Sequence, residues 1–228
     1  MDIYWLGQAC FKLKGKNTTI LIDPYDSDFT GLKLPKDLTS DAVLSTHNHQ
    51  DHNNTESIKN AQGEEVMVFT NPGEYEVGGV IITGIPSYHD NSQGSERGLN
   101  TIFRINLERL DIVHLGDLGQ SRLTEEQVAR IGQTDILLIP VGSIFTIDGK
   151  QAAEIVSQLE PKIIIPMHYK PSLPSGDGKI DGLKFELEGV EKFLKEMGAE
   201  GAVAQPKLSI TKEKLPEEPQ VILLAKSS

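Results

Sequence analysis

The chain has 228 residues, 38% of them hydrophobic and 24% charged. That suits one large domain or two small ones and argues against wholesale disorder. Its 22 Lys and Arg against 33 Asp and Glu give a formal charge of −11. Both halves are acidic, with 9 basic and 16 acidic side chains in residues 1–114 and 13 and 17 in the remainder. This argues against a duplex-gripping surface, since phosphate binding needs clustered Lys and Arg. The single cysteine, Cys10, excludes an internal disulfide framework and a four-cysteine zinc site. The N-terminal MDIYWLGQACF lacks the basic and apolar regions of a signal peptide. No apolar run approaches the roughly 20 residues that span a bilayer. A cytoplasmic protein with no membrane partner is the expectation.

Short β-type runs dominate the chain. Asp2–Leu6, Cys10–Leu13 and Thr18–Ile22, separated by turns at Gly7 and Gly15, predict an antiparallel meander. Further runs at Ala42–Leu44, Val66–Phe69, Gly79–Thr83, Thr101–Ile105, Ile112–Leu115, Ile136–Ile139, Ile163–Ile165, Leu208–Thr211 and Val221–Leu224 have ordinary strand lengths. Helical signals lie between them. Thr124-Glu125-Glu126-Gln127 predicts a capping box and a helix to Ile131. Asp148 is the predicted cap of a helix through Gln151–Leu159, and Leu187–Met197 carries apolar residues at helical spacing. Asn53–Asn60 is read as a shorter helix, and Pro24–Leu38 and Lys170–Gly182 as loops. Strands covered by interspersed helices imply a layered α/β fold. Several apolar runs end on a polar group, where open α/β sheets gather their sites.

Histidine is scarce and unevenly placed. Of six in the chain, three fall in His47-Asn48-His49-Gln50-Asp51-His52, directly after the run Ala42–Leu44. His47 and His49 share one face of an extended segment, whereas Asp51 and His52 follow a turn. Imidazoles and a carboxylate in one hexapeptide suit a borderline divalent cation such as zinc, manganese or iron. A single tetrahedral ion holding all four groups would leave no open position for chemistry, so division between two ions is favoured. Further ligands must come from elsewhere. His89, Asp117 and His168 each follow a predicted strand and are the candidates. His114 lies inside a strand run, which points to a buried hydrogen-bonded histidine rather than a ligand. Cys10, among apolar neighbours, reads as a small buried hydrophobe.

The ordered set H-x-H-x-D-H, then His89, Asp117 and His168, with Asp23 in Leu21-Ile22-Asp23-Pro24, resembles the metallo-β-lactamase fold superfamily. Trp5-Leu6-Gly7-Gln8-Ala9-Cys10-Phe11, the segment Pro140–Asp148 and Pro161–Tyr169 look more narrowly like its branch of zinc-dependent hydrolases that includes the ascorbate-6-phosphate lactonase-like proteins. The resemblance implies a four-layer αββα sandwich of two mixed β-sheets, with residues 1–228 as one domain. It implies that His47, His49 and His89 hold one ion, that Asp51, His52 and His168 hold a second, and that Asp117 bridges them. Asp23 would support the ligand loop by hydrogen bonds. Two divalent metal ions are expected, zinc foremost, with manganese and iron as alternatives.

The implied activity is metal-dependent hydrolysis of a small ester, lactone or phosphodiester, with Asp51 orienting the attacking water or taking its proton. A di-iron redox protein of the same fold and a non-catalytic metal-binding module are the rival expectations. Asn48, Gln50, Asn53, Tyr88, Phe145 and Tyr169 flank these motifs and are candidates for the pocket wall. The expected partner is a small, anionic molecule rather than duplex nucleic acid, and the sequence leaves homo-oligomers open.

Overall fold

Alternating side chains along the first strands build two apolar faces. In a computed structural model of the chain, which describes residues 1–170, 183–184 and 186–227, strands β1 (Asp2–Gly7), β2 (Cys10–Lys14) and β3 (Thr19–Ile22) form the antiparallel meander. Strands β4 (Ala42–Leu44) and β5 (Met67–Phe69) extend it in parallel. Strand β12 (Leu208–Ser209) closes the other edge, giving the order β12-β1-β2-β3-β4-β5. Phe11, Leu13, Ile20, Ile22, Ala42 and Leu44 point into the main core. Cys10, Leu21 and Val43, one residue out of phase, point to the opposite face. There they meet Tyr25, Leu32 and Ile58 from the segment that follows β3 and β4. The period of two sorts the side chains, and burial on both faces accounts for runs that are apolar throughout.

The second sheet has seven strands in the order β13-β11-β10-β9-β8-β7-β6. These are β6 (Gly73–Val77), β7 (Val80–Tyr88), β8 (Leu99–Leu107), β9 (Leu110–His114), β10 (Ile136–Pro140), β11 (Ile163–Met167) and β13 (Gln220–Val221). Strands β6 to β9 are antiparallel neighbours, while β9, β10, β11 and β13 run parallel. Helices α2 (Glu125–Ile131) and α3 (Gly149–Leu159) pack against this sheet, and α4 (Glu191–Glu196) packs on α3. Thr124 forms the expected reciprocal capping box with Gln127, and Asp148, expected as a cap, forms a full box with Gln151. The two mixed sheets face each other across one core, as expected for the sandwich. The outer layer on the six-stranded sheet is thin. It is mostly irregular chain with a one-turn helix, α1 (Ser27–Thr30). No helix among the described residues is long and apolar enough to cross a membrane.

Several local expectations are corrected. The segment Asn53–Asn60 forms only a 3-10 turn at Thr55–Ser57. Ile58 is its only buried apolar side chain, and Asn60 Oδ1 accepts from the amides of Gln62 and Glu64, which turns the chain instead. The helix expected over Leu187–Met197 shrinks to α4. The Glu188 amide donates to Gly142 O and its carbonyl accepts from Lys170 N, so the backbone before Glu191 is committed to tertiary contacts. Pro24–Leu38 contains α1, capped by Asp26. Strand β6 lies outside the expected runs, although Gly78 and Gly79, both at positive φ between Val77 and Val80, are a two-residue hairpin signal. The loop expected at Lys170–Gly182 lies outside the described residues beyond Lys170.

Phe103, fully buried in β8, and Ile81, 58% exposed on β7, give a matched test of this architecture. Phe103→Ala should lower stability in chemical denaturation by about 3–5 kcal/mol, whereas Ile81→Ala should change it by no more than about 0.5 kcal/mol.

Candidate metal centre

The seven candidate ligands converge at one edge of the sandwich. The hexapeptide follows β4, His89 follows β7, Asp117 follows β9 and His168 follows β11. The side chains fall into two adjacent groups: His47, His49 and His89, and Asp51, His52, Asp117 and His168. Within each, one potential ligand atom per residue lies within 4.8 Å of the others. Asp117 Oδ2 joins the groups, standing 3.2 Å from His52 Nε2, 3.3 Å from His168 Nε2 and 3.4 Å from His89 Nε2. Asp51 Oδ2 is 3.5 Å from His52 Nε2 and 3.8 Å from His168 Nε2. Tetrahedral donors at bonds of about 2.0–2.2 Å stand roughly 3.3–3.6 Å apart, close to the spacings around Asp117, while the Asp51–His168 spacing is somewhat longer.

Unpartnered atoms provide a second test of fit. His47 Nε2, His52 Nε2, His168 Nε2 and Asp117 Oδ1 are buried without a hydrogen bond. Such groups are costly unless a partner satisfies them. At His47 the neighbouring polar groups leave the right lone pair available. Thr46 Oγ1 donates to Asp23 Oδ2 at 2.8 Å and therefore accepts from His47 Nδ1 at 3.0 Å. This places the His47 proton on Nδ1 and leaves Nε2 bare. His52 Nδ1 lies 3.0 Å from the same Asp23 oxygen, though without the alignment of a hydrogen bond. Asp23 also accepts from Thr46 N at 2.7 Å. A fully buried carboxylate thus supports His47 through Thr46 and stands beside His52. The donor set of imidazoles and carboxylates fits a borderline divalent cation.

The charges are strongly coupled. Burial opposes ionisation of Asp117, but His168, His52 and His89 outweigh it and hold the carboxyl well below the usual range. Burial likewise opposes the Asp51 charge, and His52 and His168 hold its carboxyl low. Burial disfavours a proton on His52 and His168, yet Asp117 and Asp51 raise the proton affinity of both. His47 and His89 move the other way, chiefly because of burial. Protons and a metal cation therefore compete for the same nitrogens.

His114 is not in the cluster. It is fully buried, with Nε2 2.8 Å from Ala9 O, and its Nδ1 accepts from Gly116 N at 3.0 Å, a structural role as expected. Cys10 is buried in the outer apolar cluster. A cavity of about 410 Å³ opens on the cluster, reaching His49, Asp51, His89 and Asp117. Asn48, Gln50 and Phe145 line it as anticipated, together with Phe29 and Arg97. Among the remaining pocket candidates, Asn53 bonds to Asn48 Oδ1 at 2.6 Å, and Tyr169 stacks on Trp5 with centroids 5.1 Å apart. Tyr88 is not among the residues lining the cavity.

Several supporting residues carry no sequence signal of their own. Asn100 on β8 accepts from Asp117 N at 3.0 Å and donates to Ser87 Oγ and Leu115 O. Thr101 N donates to Thr46 O at 2.8 Å, tying the second sheet to the ligand loop of the first. The motif segments acquire physical roles. Gln8 O accepts from both Trp5 Nε1 and His168 N. Gly142 abuts His168, whose φ of 50° is unusual for a residue other than glycine. A Cβ at position 142 would overlap the His168 carbonyl oxygen.

With this geometry in place, comparison with known proteins defines the class. A model of the β-lactamase superfamily domain matches residues 2–168. A UPF0173 metal-dependent hydrolase of Thermoplasma acidophilum is 35% identical over 193 residues, covering 74% of this chain and 83% of that protein. One from Methanopyrus kandleri is 31% identical over 194 residues, covering 74% and 84%. A solved Thermotoga maritima structure, assigned as a zinc-dependent hydrolase of the metallo-β-lactamase superfamily, superposes with a TM-score of 0.73. It is 35% identical and covers 98% of this chain and 97% of that one. The chain belongs to the metallo-β-lactamase superfamily and, within it, to the UPF0173 metal-dependent hydrolases.

Gly142→Ala should force the β10 and β11 ends apart and lower stability by about 1–3 kcal/mol. Chemical denaturation measures the loss, and displaced His168 imidazole resonances in NMR spectra locate it.

Proposed function

We propose that this protein is a hydrolase with a dinuclear metal centre that cleaves a small ester, lactone or phosphodiester. The observation that carries this is the pair of ligand groups sharing Asp117 Oδ2, with bare, buried imidazole nitrogens facing one another. His47, His49 and His89 would hold one ion, Asp51, His52 and His168 the other, and Asp117 both. Zinc suits this set, as do manganese and iron. When bound, divalent ions lower the pKa of water toward about 7 and polarise the scissile carbonyl or phosphoryl oxygen.

The chain's own residues set the remaining conditions. Asp51 is only partly buried and reaches the cavity, where its carboxylate orients the attacking water or takes its proton. His49, the exposed member of its group, meets the substrate side. Asp23 and Thr46 fix the His47 tautomer and hold the loop. Phe29 and Phe145 supply apolar surface beside the reacting groups, which limits water around them. Residues 1–228 act as one domain in this proposal, because the site draws on both sheets.

Removing bound metal with a chelator should abolish hydrolysis across a panel of esters, lactones and phosphodiesters, and adding zinc, manganese or iron should restore it. Retention of full activity by protein shown to be metal-free would refute the proposal. Asp23→Ala should weaken metal binding about 10- to 100-fold with every ligand intact, as read by competition with a chromophoric chelator. Metal affinity should also fall as pH is lowered, because protons compete for the imidazole lone pairs. The fall should begin near neutrality, since Asp117 and Asp51 raise the proton affinity of His52 and His168. Affinity that stays constant from about pH 5 to 7 would contradict histidine ligation.

A further inference from the structure

We propose that Arg97 is the anion-recognition residue of this site, so that the substrate carries a carboxylate or phosphate set apart from the scissile bond. The inference rests on the hydrolase assignment proposed above. Arg97 is the only Lys or Arg among the described residues lining the cavity that reaches His49, Asp51, His89 and Asp117. It sits there in a chain of charge −11.

Its placement is built into the fold. Asp90, immediately after His89 and nearly buried, accepts four backbone amides. Ser92 N and Gly94 N reach Oδ1 at 2.7 and 2.8 Å, and Glu96 N and Arg97 N reach Oδ2 at 3.0 and 2.8 Å. Gly98 N donates to Gly94 O, and His89 N to Gly98 O. The loop that carries Arg97 is therefore wound around one carboxylate and fastened to the residue beside it in the cluster. The guanidinium carbon lies 5.0 Å from the Phe145 ring centre, and Nη2 donates to Ile144 O at 3.1 Å. That stack and bond hold the plane of the fork.

Arg97 forms no ion pair among the described residues, whereas Arg104 pairs with Asp111 and Arg109 with Glu213. Arg122 and Arg130 form none there either, but neither lines this cavity. A guanidinium has five N–H donors, of which the Ile144 carbonyl takes one. A planar fork fixed in one orientation suits two-point binding of a carboxylate or phosphate, and its preorganisation reduces the entropy lost on binding. Phe145 and Phe29 line the same cavity, so the anionic group enters beside apolar surface. Its metal-facing end then carries the bond to be cleaved.

The test compares a carboxylated aryl ester, para-nitrophenyl hemiglutarate, with its neutral methyl ester. It also titrates phenylphosphonate calorimetrically into the metal-loaded protein. Wild type, Arg97→Gln and Arg97→Lys are measured, with metal content and denaturation midpoint recorded for each. Arg97→Gln should lower kcat/KM for the carboxylated ester about 10- to 100-fold more than for the neutral one, mainly through KM, as expected for loss of charge-assisted hydrogen bonds. Phenylphosphonate affinity should drop by a similar factor, and Arg97→Lys should recover part of both losses. Equal losses on the two esters would show that Arg97 merely braces the loop and would overturn the inference, as would unchanged phenylphosphonate affinity. If the wild type cleaves neither these esters nor any ester, lactone or phosphodiester of the panel while Arg97→Gln still weakens phenylphosphonate binding, the anion site stands and the hydrolase assignment fails.

Discussion

Three imidazole nitrogens stand within 3.4 Å of a single carboxylate oxygen on Asp117, and the rest of the molecule depends on keeping them there. Lone pairs so crowded repel one another unless a cation lies between them, and burial removes the water that could screen them. The polypeptide must therefore supply rigidity from outside the cluster. Asp23, Thr46 and Asn100 do this with short hydrogen bonds to ligand loops. Gly142 does it by offering no side chain where the His168 carbonyl must pass.

The cluster spans both sheets. Asp23 and the hexapeptide follow strands of the six-stranded sheet, whereas His89, Asp117 and His168 follow strands of the seven-stranded one. Two backbone bonds connect the halves directly, Thr101 N to Thr46 O and His168 N to Gln8 O. The apolar core between the sheets is thus a condition for the site as well as for stability, since sliding one sheet past the other would separate the two ligand groups. The fold also explains why ligands from distant parts of the sequence meet. Parallel β3 and β4 end together, as do parallel β9, β10 and β11, and the loops beyond them open on one edge.

Much of this was legible before any coordinates. The meander and the central strands follow from short apolar runs between turn residues, and the starts of two helices from side chains, Thr124 and Asp148, that satisfy the helix ends. His114 was separable from the cluster because it lies within an apolar run. Elements that depend on distant partners were less legible. Tyr75 in β6 stacks on Phe69, and the helix of α4 yields its first turn to bonds with Gly142 and Lys170. The Gly78-Gly79 turn is the one local sign of β6, and no local pattern announces the shortening of α4.

The sequence by itself determined the chemistry on offer: the identity, order and strand-end placement of seven imidazole and carboxylate side chains, set by residue type and short-range spacing. Tertiary structure alone decided which of them share an oxygen, which nitrogen of His47 bears the proton, and that Arg97 belongs at the same cavity. Those outcomes turn on distances of a few ångströms between residues far apart in the chain, and only the packing of two sheets fixes them.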